Sequence, residues 1–549
     1  MNIIHFLTLY GLLFLIGRSL VLIYSKSKNE NHDIKEVFGL PYYFFYVLIS
    51  LFFIGNLQFL LNFFLPGKII LRILYFIGVV LIIYNLKVPP VINLKNLNSY
   101  IQVTIPICLS ISSYGMWLHY DAGLYHLNHQ HWINESKIVF GLSNLNIWYS
   151  WSGMYEYISS ILWLENNLIQ LHYLNLLFFC ILFSFLSLSL TTKKNLFYRN
   201  VSIAILIFSL LDNFGIGGGN NGFITIQTIG KPDVAFGVLF FLATILIFNS
   251  LITNSLSPSE LFFITIFQVF LIQLKTFGYF LSPLYLLYFY KLIKKEKQNI
   301  KLILIKILPS SFILFLWYLK NIITSGCILF PIENLCLSQF SWYEEGTARS
   351  IAIWGRDIPR VYRFDQSFFE WFRVWYELDH NKQVAPNFLI TVLLIFLFKI
   401  IFLSNERKKE SKYFLFFNLF LLISWISTGA VVRFGFGLWL LIVSYVVFNS
   451  GEFKFLNFHK LKYLLSISLV LSCLLVPRIY SYQEMINRKF MNYSISIENF
   501  TYIPKENSWG VRPLNTEKNL CWVNIECIES ERTFVELSEV FGYKIFIQK

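Results

Sequence analysis

The chain has 549 residues, of which 56% are hydrophobic and only 14% charged, and its mean hydropathy is positive. Soluble globular domains carry roughly 25% charged residues, so the composition excludes that class and defines an integral membrane protein. The formal charge of +14 does not point to nucleic acid, because Lys and Arg fall in short clusters between apolar runs, as in cytoplasmic loops.

A membrane span needs roughly 20 apolar residues, fewer where neighbouring helices shield it. Apolar runs lie at 3–24, 41–65, 69–86, 99–118, 168–190, 201–213, 234–251, 260–274, 276–291, 302–319, 387–404, 413–429, 434–449 and 463–479. They predict an all-α polytopic protein of about 14 transmembrane helices, or about 12 if short runs are discounted. Two of the short runs flank Lys275. The first run has no basic leader or small-residue cleavage site and reads as a retained span.

Every second connection is basic: Lys26, Lys28 and Lys35; Lys87 and Lys95; Lys193, Lys194 and Arg199; Lys291, Lys294, Lys295 and Lys297; Arg407, Lys408 and Lys409; Lys454, Lys460 and Lys462. These connections face the cytoplasm. Residues 1–479 then form a transmembrane domain with extracytoplasmic loops 119–167, 214–233 and 320–386, and residues 480–549 form an extracytoplasmic tail. That tail is too short for more than a small core. It is expected to be mixed α/β or irregular, with strand-like alternation in NYSISIENFTYI and FGYKIFIQK, and to pack on the outer loops. Cys108, Cys180 and Cys473 lie in apolar runs, as small buried hydrophobes do. Cys327, Cys336, Cys521 and Cys527 share the outer side, where Cys521 and Cys527 either close a disulfide loop or stay two thiols.

The least apolar part of this design is WLHYDAGLYHLNHQHWINESKIVFGLSNLNIWYSW, from Trp117 to Trp151. Asp121 leaves the fourth span here, either as a reactive acid facing a cavity or as a solvated helix-end acid. A desolvated carboxylate in this place can take a proton from a hydroxyl, and in a helix Tyr125 would share its face. Glu135 and Glu156 are candidate second carboxylates or plain loop residues. His119, His126, His129 and His131 match no zinc spacing, so no metal site is expected and hydrogen bonding to a polar substrate or headgroup is the better role.

Further along, the Gly-rich part of 212–233 lacks the Lys-Ser/Thr ending of a phosphate loop and reads as a flexible outer loop. Lys231 and Asp233 stand at the mouth of the seventh span, where Asp233 is either a helix cap or a functional acid. Lys275 either faces a cavity, where it would hold a lipid phosphate, or is a simple loop lysine. After the tenth span come Lys320, in WYLKNIITSGCILFP, and Arg356, Arg360 and Arg363, which suit either phosphate recognition or a basic amphipathic surface. FDQSFFEWFRVWYELDH predicts an interfacial helix. Arg433, between two apolar runs, either snorkels to headgroups or reaches a phosphate in the cavity.

Four passages, YDAGLYHL with GLSNLNIWYSWSG, KPDVAF, WYLKNIITSGCILFP and the tail with CWVNIEC, together resemble the GT-C superfamily of polytopic membrane glycosyltransferases, especially members associated with bacterial surface polysaccharides. The resemblance implies an inverting transfer of a sugar from a polyprenyl-phosphate donor to a hydroxyl of a glycan or lipid acceptor, on the outer face of the plasma membrane. Asp121 matches the catalytic base of such enzymes. Tyr125, His126, Glu135, Lys231 and Asp233 then become substrate-binding candidates, with Lys275, Lys320, Arg356 and Arg433 on the donor phosphate. Many relatives have paired acids, whereas Ala122 follows Asp121, so the second carboxylate is unassigned. No cofactor is required by the resemblance, which leaves room for a divalent cation. Two other readings stay open: a polymerase or ligase of lipid-linked oligosaccharides, and a transporter or flippase of lipid-linked sugar.

Overall fold

The computed structural model describes the chain except residues 27–35, 87–96, 164–166, 192–194, 215–222, 225, 227, 297–299, 355–360, 363–365, 407, 455–457, 492, 496, 498–500, 506–507, 514–519, 529–533 and 549. Helix α1 (Asn2–Lys26) leads through the short strands β1 (Glu36–Val37) and β2 (Leu40–Pro41) to α2 (Tyr46–Asn62), α3 (Gly67–Leu86) and α4 (Leu97–Ser110). Two short helices, α5 (Leu127–Glu135) and α6 (Met154–Ile161), occupy the polar aromatic stretch. Six more follow: α7 (Ile169–Thr191), α8 (Leu196–Phe214), α9 (Asp233–Thr253), α10 (Pro258–Leu274), α11 (Ser282–Lys295) and α12 (Ile300–Ser325). After α13 (Thr347–Trp354) and α14 (Phe368–Tyr376) come α15 (Asp379–Phe402), β3 (Leu403–Asn405), α16 (Ser411–Thr428), α17 (Phe436–Val446), β4 (Ser450–Phe453), α18 (Phe458–Leu475) and α19 (Ile479–Asn487). The tail adds β5 (Tyr502–Pro504), β6 (Val511–Pro513), β7 (Val535–Val540) and β8 (Tyr543–Gln548).

Among the described residues nine helices, α1, α2, α3, α7, α8, α9, α12, α15 and α16, are long and apolar enough to cross a membrane. A tenth joins them if α18 and α19, bent by 70°, count as one span. The protein is therefore a polytopic, mainly helical membrane protein. The four remaining apolar runs are helical but short: α4, α10, α11 and α17 have 14, 17, 14 and 11 residues. Tight 3-10 turns continue three of these runs, Ile111–Tyr114 after α4, Thr276–Leu281 before α11 and Val432–Gly435 before α17.

Helices α7 and α9 form the centre, 94% buried over their apolar windows, with α8, α10, α17 and α18 against them. Outer helices instead expose large apolar side chains such as Phe76, Leu389, Phe416 and Ile467, a surface suited to lipid. Lipid tails are as apolar as Leu, so close packing and interhelical hydrogen bonds supply the association. Gln102 Nε2 on α4 donates to the Ser184 carbonyl on α7 (3.3 Å), and Ser209 on α8 meets Ser472 on α18 (2.6 Å). At the crossing of α9 and α17, a Cβ on Gly437 would lie 2.9 Å from the Gly237 carbonyl oxygen, so this approach requires glycine.

The connections gather at two ends. At one, Tyr198 and Asn249 both donate to the Phe38 carbonyl (3.0 and 3.3 Å), Lys295 to those of Asn254 and Leu256, and Lys408 to that of Phe448, while β3 pairs antiparallel with β4. This is the basic end. At the other, the four segments expected on the outer side meet one another. His119 N donates to the Ile229 carbonyl (3.1 Å), Trp522 N to that of Gly123 (2.8 Å) and Phe546 N to that of Phe140 (2.9 Å). In the tail, β5 pairs with β6 and β7 with β8, and among the described residues the tail's buried apolar side chains pack with those of the early loop. Phe546, Ile528 and Val535 share one apolar cluster with Trp132, Val139, Leu145 and Tyr149 of the early loop. The expected strand signal at the end of the tail corresponds to β8. The alternation from 492 to 503 yields only β5 within the described residues. Disulfides join Cys521 to Cys527, as one of the two readings held, and Cys327 to Cys336, a pairing the sequence reading did not make.

Candidate functional site

At the end opposite the basic connections, five charged side chains from four chain segments meet. Asp121 follows α4 and its turn, where the backbone passes into a single wide π-helical turn over Ala122–His126, a form often found at functional sites. Lys231 lies just before α9 and Asp233 is its first residue. Lys275 closes α10, and Arg433 sits in the turn before α17. The glycine crossing explains the last placement: Gly237 and Gly437 stand one helical turn beyond Asp233 and Arg433. Gly230 holds the loops together, since at φ +91° a Cβ there would lie 2.7 Å from the Ala122 Cβ. Tyr155 donates to Asn175 Oδ1 (3.2 Å) and Asn175 Nδ2 to the Lys231 carbonyl (3.4 Å), which fixes the approach to α9.

Arg433 bridges two carboxylates. Its guanidinium lies 3.6 Å from Asp121 Oδ2 and 3.3 Å from Asp233 Oδ2. Asp233 is almost fully buried and also pairs with Lys275 Nζ, so it is an ion-pairing acid and makes no side-chain cap to α9. Arg433 thereby places a second carboxylate, that of Asp233, across its guanidinium from Asp121. Lys275 and Arg433 both sit against the Phe434 ring, 4.5 and 5.2 Å from its centroid, and Phe434 begins an apolar groove with Phe236, Phe240, Phe277, Phe280 and Trp425. Burial and the Arg433 charge pull the Lys231 ammonium down to about 8, against Asp121 and Asp233. An anion held by Lys231 should therefore leave as pH rises through that value. Binding of sulfate, whose charge is constant there, is expected to weaken by up to about tenfold from pH 7 to 9 and to flatten in Lys231→Arg, as calorimetry would report. A flat wild-type profile would contradict it.

His119 Nδ1 accepts the Asp121 backbone N–H at 3.0 Å, so it carries a lone pair and not a proton toward Asp121 Oδ2, 3.3 Å away. Burial, with Lys231 and Arg433 nearby, also holds this imidazole below its usual value despite Asp121. Arg433 is consequently the cation that neutralises Asp121 among the described residues.

A second, buried cluster lies behind the first. Glu156 on α6 accepts from His126 Nδ1 and from Gln130 Nε2 (2.8 Å), both on the Asp121 side of the loop. Lys320, fully buried, donates to the Ser152 carbonyl (3.0 Å) and feels the charge of Glu156. Tyr125 stands between the clusters. Burial, then the carboxylates of Asp121, Glu156 and Asp233, push its phenol well above its ordinary value, so it is a neutral hydroxyl. His129 is likewise held well below its usual value by burial and by Lys320 and His126.

Of the residues singled out by sequence, Asp121, Lys231, Asp233, Lys275 and Arg433 come together, with Tyr125 adjoining. His126 and Lys320 belong to the buried cluster, so Lys320 is not among the cations around Asp121. Glu135 is also elsewhere: it pairs with Lys68 and His131 (3.2 Å), which, although burial opposes them, hold its carboxyl below the usual range. Arg356, Arg360 and Arg363, and the Gly-rich segment 215–222, lie outside the described residues. Glu156 is a buried hub where a plain loop residue was the alternative, and Gln130 carried no sequence signal. The Cys521–Cys527 loop backs the site, with Trp522 against Gly123 and the Val523 carbonyl 2.6 Å from His131 Nδ1. No three His, Cys, Asp or Glu side chains among the described residues are grouped to hold a metal ion.

Fold and site together define a polytopic membrane protein with a charged site of two acids and three cations at one end of its helices. A family model described as a domain of unknown function (DUF8201) matches residues 1–440, and the chain belongs to that family. The matched region takes in all five clustered residues. No curated protein and no solved structure matches the chain.

Proposed function

We propose that this protein is a membrane glycosyltransferase that moves a sugar from a polyprenyl-phosphate donor to a hydroxyl of a glycan or lipid acceptor, in cell-surface polysaccharide or glycolipid synthesis. The observation that carries the reading is the Asp121–Arg433–Asp233 bridge, with Lys231 and Lys275 alongside. Three cations against two acids suit a phosphate whose negative charge grows as the glycosidic bond breaks, and a carboxylate among them suits removal of the acceptor proton. Asp121 takes that proton, the freed oxygen attacks the anomeric carbon, and the lipid phosphate departs toward Arg433 and Lys231 with inversion. The apolar groove lined by Phe434 supports a lipid-borne donor, because it puts an aromatic surface between membrane helices beside the two cations.

The finer architecture belongs to the same reading: about 14 spans in a GT-C-like arrangement, in a bacterial plasma membrane, with the site extracytoplasmic. In support, α10, α11 and α17 each run between the basic end and the site end, as spanning helices would. Purified protein in liposomes carrying lipid-linked sugar and a hydroxyl acceptor should form a new glycosidic bond, detected by mass spectrometry. Movement of the lipid-linked sugar across the bilayer with no new bond would replace this function by that of a flippase.

A further inference from the structure

Among the described residues Arg433 is the one cation within 4 Å of the Asp121 carboxylate, which on its other side meets the unprotonated nitrogen of His119. While Arg433 holds it, the Oδ2 oxygen is engaged in an ion pair and the guanidinium stands beside the carboxylate. Asp233 is secured differently, because Lys275 pairs with it independently of Arg433. Lys231 makes no ion pair within 4 Å among the described residues, yet it is close enough to act electrostatically on Asp121, Asp233 and Arg433. Arg433 is itself about one-third exposed, so an incoming anion can reach it.

We propose that Arg433 is a phosphate-operated latch on Asp121: a phosphate anion seated between Lys231 and Arg433 draws the guanidinium from Asp121, and only then is the carboxylate free to accept a proton. The inference rests on reading the site as one for a phosphate-bearing donor. The latch makes the order of events physical. A phosphate dianion or diester offers the guanidinium two oxygens in the fork geometry it prefers, whereas Asp121 offers it one oxygen at 3.6 Å. Asp233 stays paired with Lys275 throughout and anchors the site while Arg433 swings. Once released, Asp121 has the His119 lone pair on one side and the acceptor hydroxyl on the other, from which it takes the proton. An enzyme built this way does not activate an acceptor before the donor is in place.

The test is carboxyl labelling of the full-length protein in neutral detergent, with a carbodiimide and an amine, read by peptide mass spectrometry at Asp121 and Asp233. The probes are a short-chain polyprenyl phosphate and, separately, inorganic pyrophosphate, with binding of each measured in parallel. Labelling of Asp121 should rise severalfold with bound phosphate while that of Asp233 stays constant. In Arg433→Gln it should be high with or without the probe; Arg433→Lys, which keeps the charge, serves if the Gln variant does not fold, and should give an intermediate rise. A response to the polyprenyl phosphate alone identifies a lipid headgroup as the operator, and a response to both identifies the phosphate itself. Unchanged or reduced Asp121 labelling with phosphate bound, or failure of both probes to bind, overturns the latch. Intact sugar transfer with unchanged labelling would sink the latch and leave the transferase reading, whereas a labelling rise without transfer would do the reverse.

Discussion

Asp121→Asn is expected to lower sugar transfer by about 10²–10⁴-fold, the usual contribution of a positioned general base, while the protein still folds and inserts. Asn keeps the shape of the side chain and its contact with Arg433 but cannot take a proton at neutral pH. Folding should tolerate the change because Asp121 is partly exposed and Arg433 retains Asp233, which is held in turn by Lys275. Initial rates in the liposome assay, normalised to folded protein, check this. A variant within about threefold of wild type would remove Asp121 from the role of base.

The largest effect on stability is expected at Glu156, outside the proposed chemistry. Its carboxylate holds His126 and Gln130 and is the acid whose charge reaches the fully buried Lys320. Glu156→Leu leaves two buried polar side chains, His126 and Gln130, without their acceptor and removes the charge that reaches Lys320, a loss of about 1–3 kcal/mol for each unsatisfied group. Most membrane-inserted protein should then be lost, and what remains should melt well below wild type in detergent. Removing the cation as well, in Glu156→Leu with Lys320→Met, should restore part of the loss, because the two charges compensate each other. Equal melting of Glu156→Leu and wild type would contradict the hub.

What the amino-acid order made legible follows from the range of the interactions involved. An apolar run of about 20 residues is a local property, and every run read as a span is helical in the structure. Where a helix stops is less local. The 3-10 turns beside α4, α11 and α17 shorten helices whose composition alone reads as continuous. Basic clusters separated the two ends correctly enough that the four outer segments do meet. Within the site, Lys231, Asp233, Lys275 and Arg433 were recognisable as charges at the margins of apolar runs. Their assembly was not, because it depends on α9 and α17 touching at Gly237 and Gly437, far apart in the chain. Nearness in sequence misled in the other direction for Glu135, which turns to Lys68, while Lys320 and Glu156 are buried together behind Tyr125. Cys521 and Cys527 were readable as a pair because only five residues separate them; Cys327 and Cys336 are joined through a loop whose path the sequence did not show.

The central claim, that Asp121 and the four charged residues around it form a sugar-transfer site, is tested most directly by mass spectrometry of surface glycans from source cells lacking this protein and resupplied with wild type or Asp121→Asn. The account predicts that one defined sugar residue disappears from the glycans, returns with wild type and stays absent with Asp121→Asn at equal membrane levels. Glycans that are unchanged by loss of the protein, or fully restored by Asp121→Asn, would contradict it.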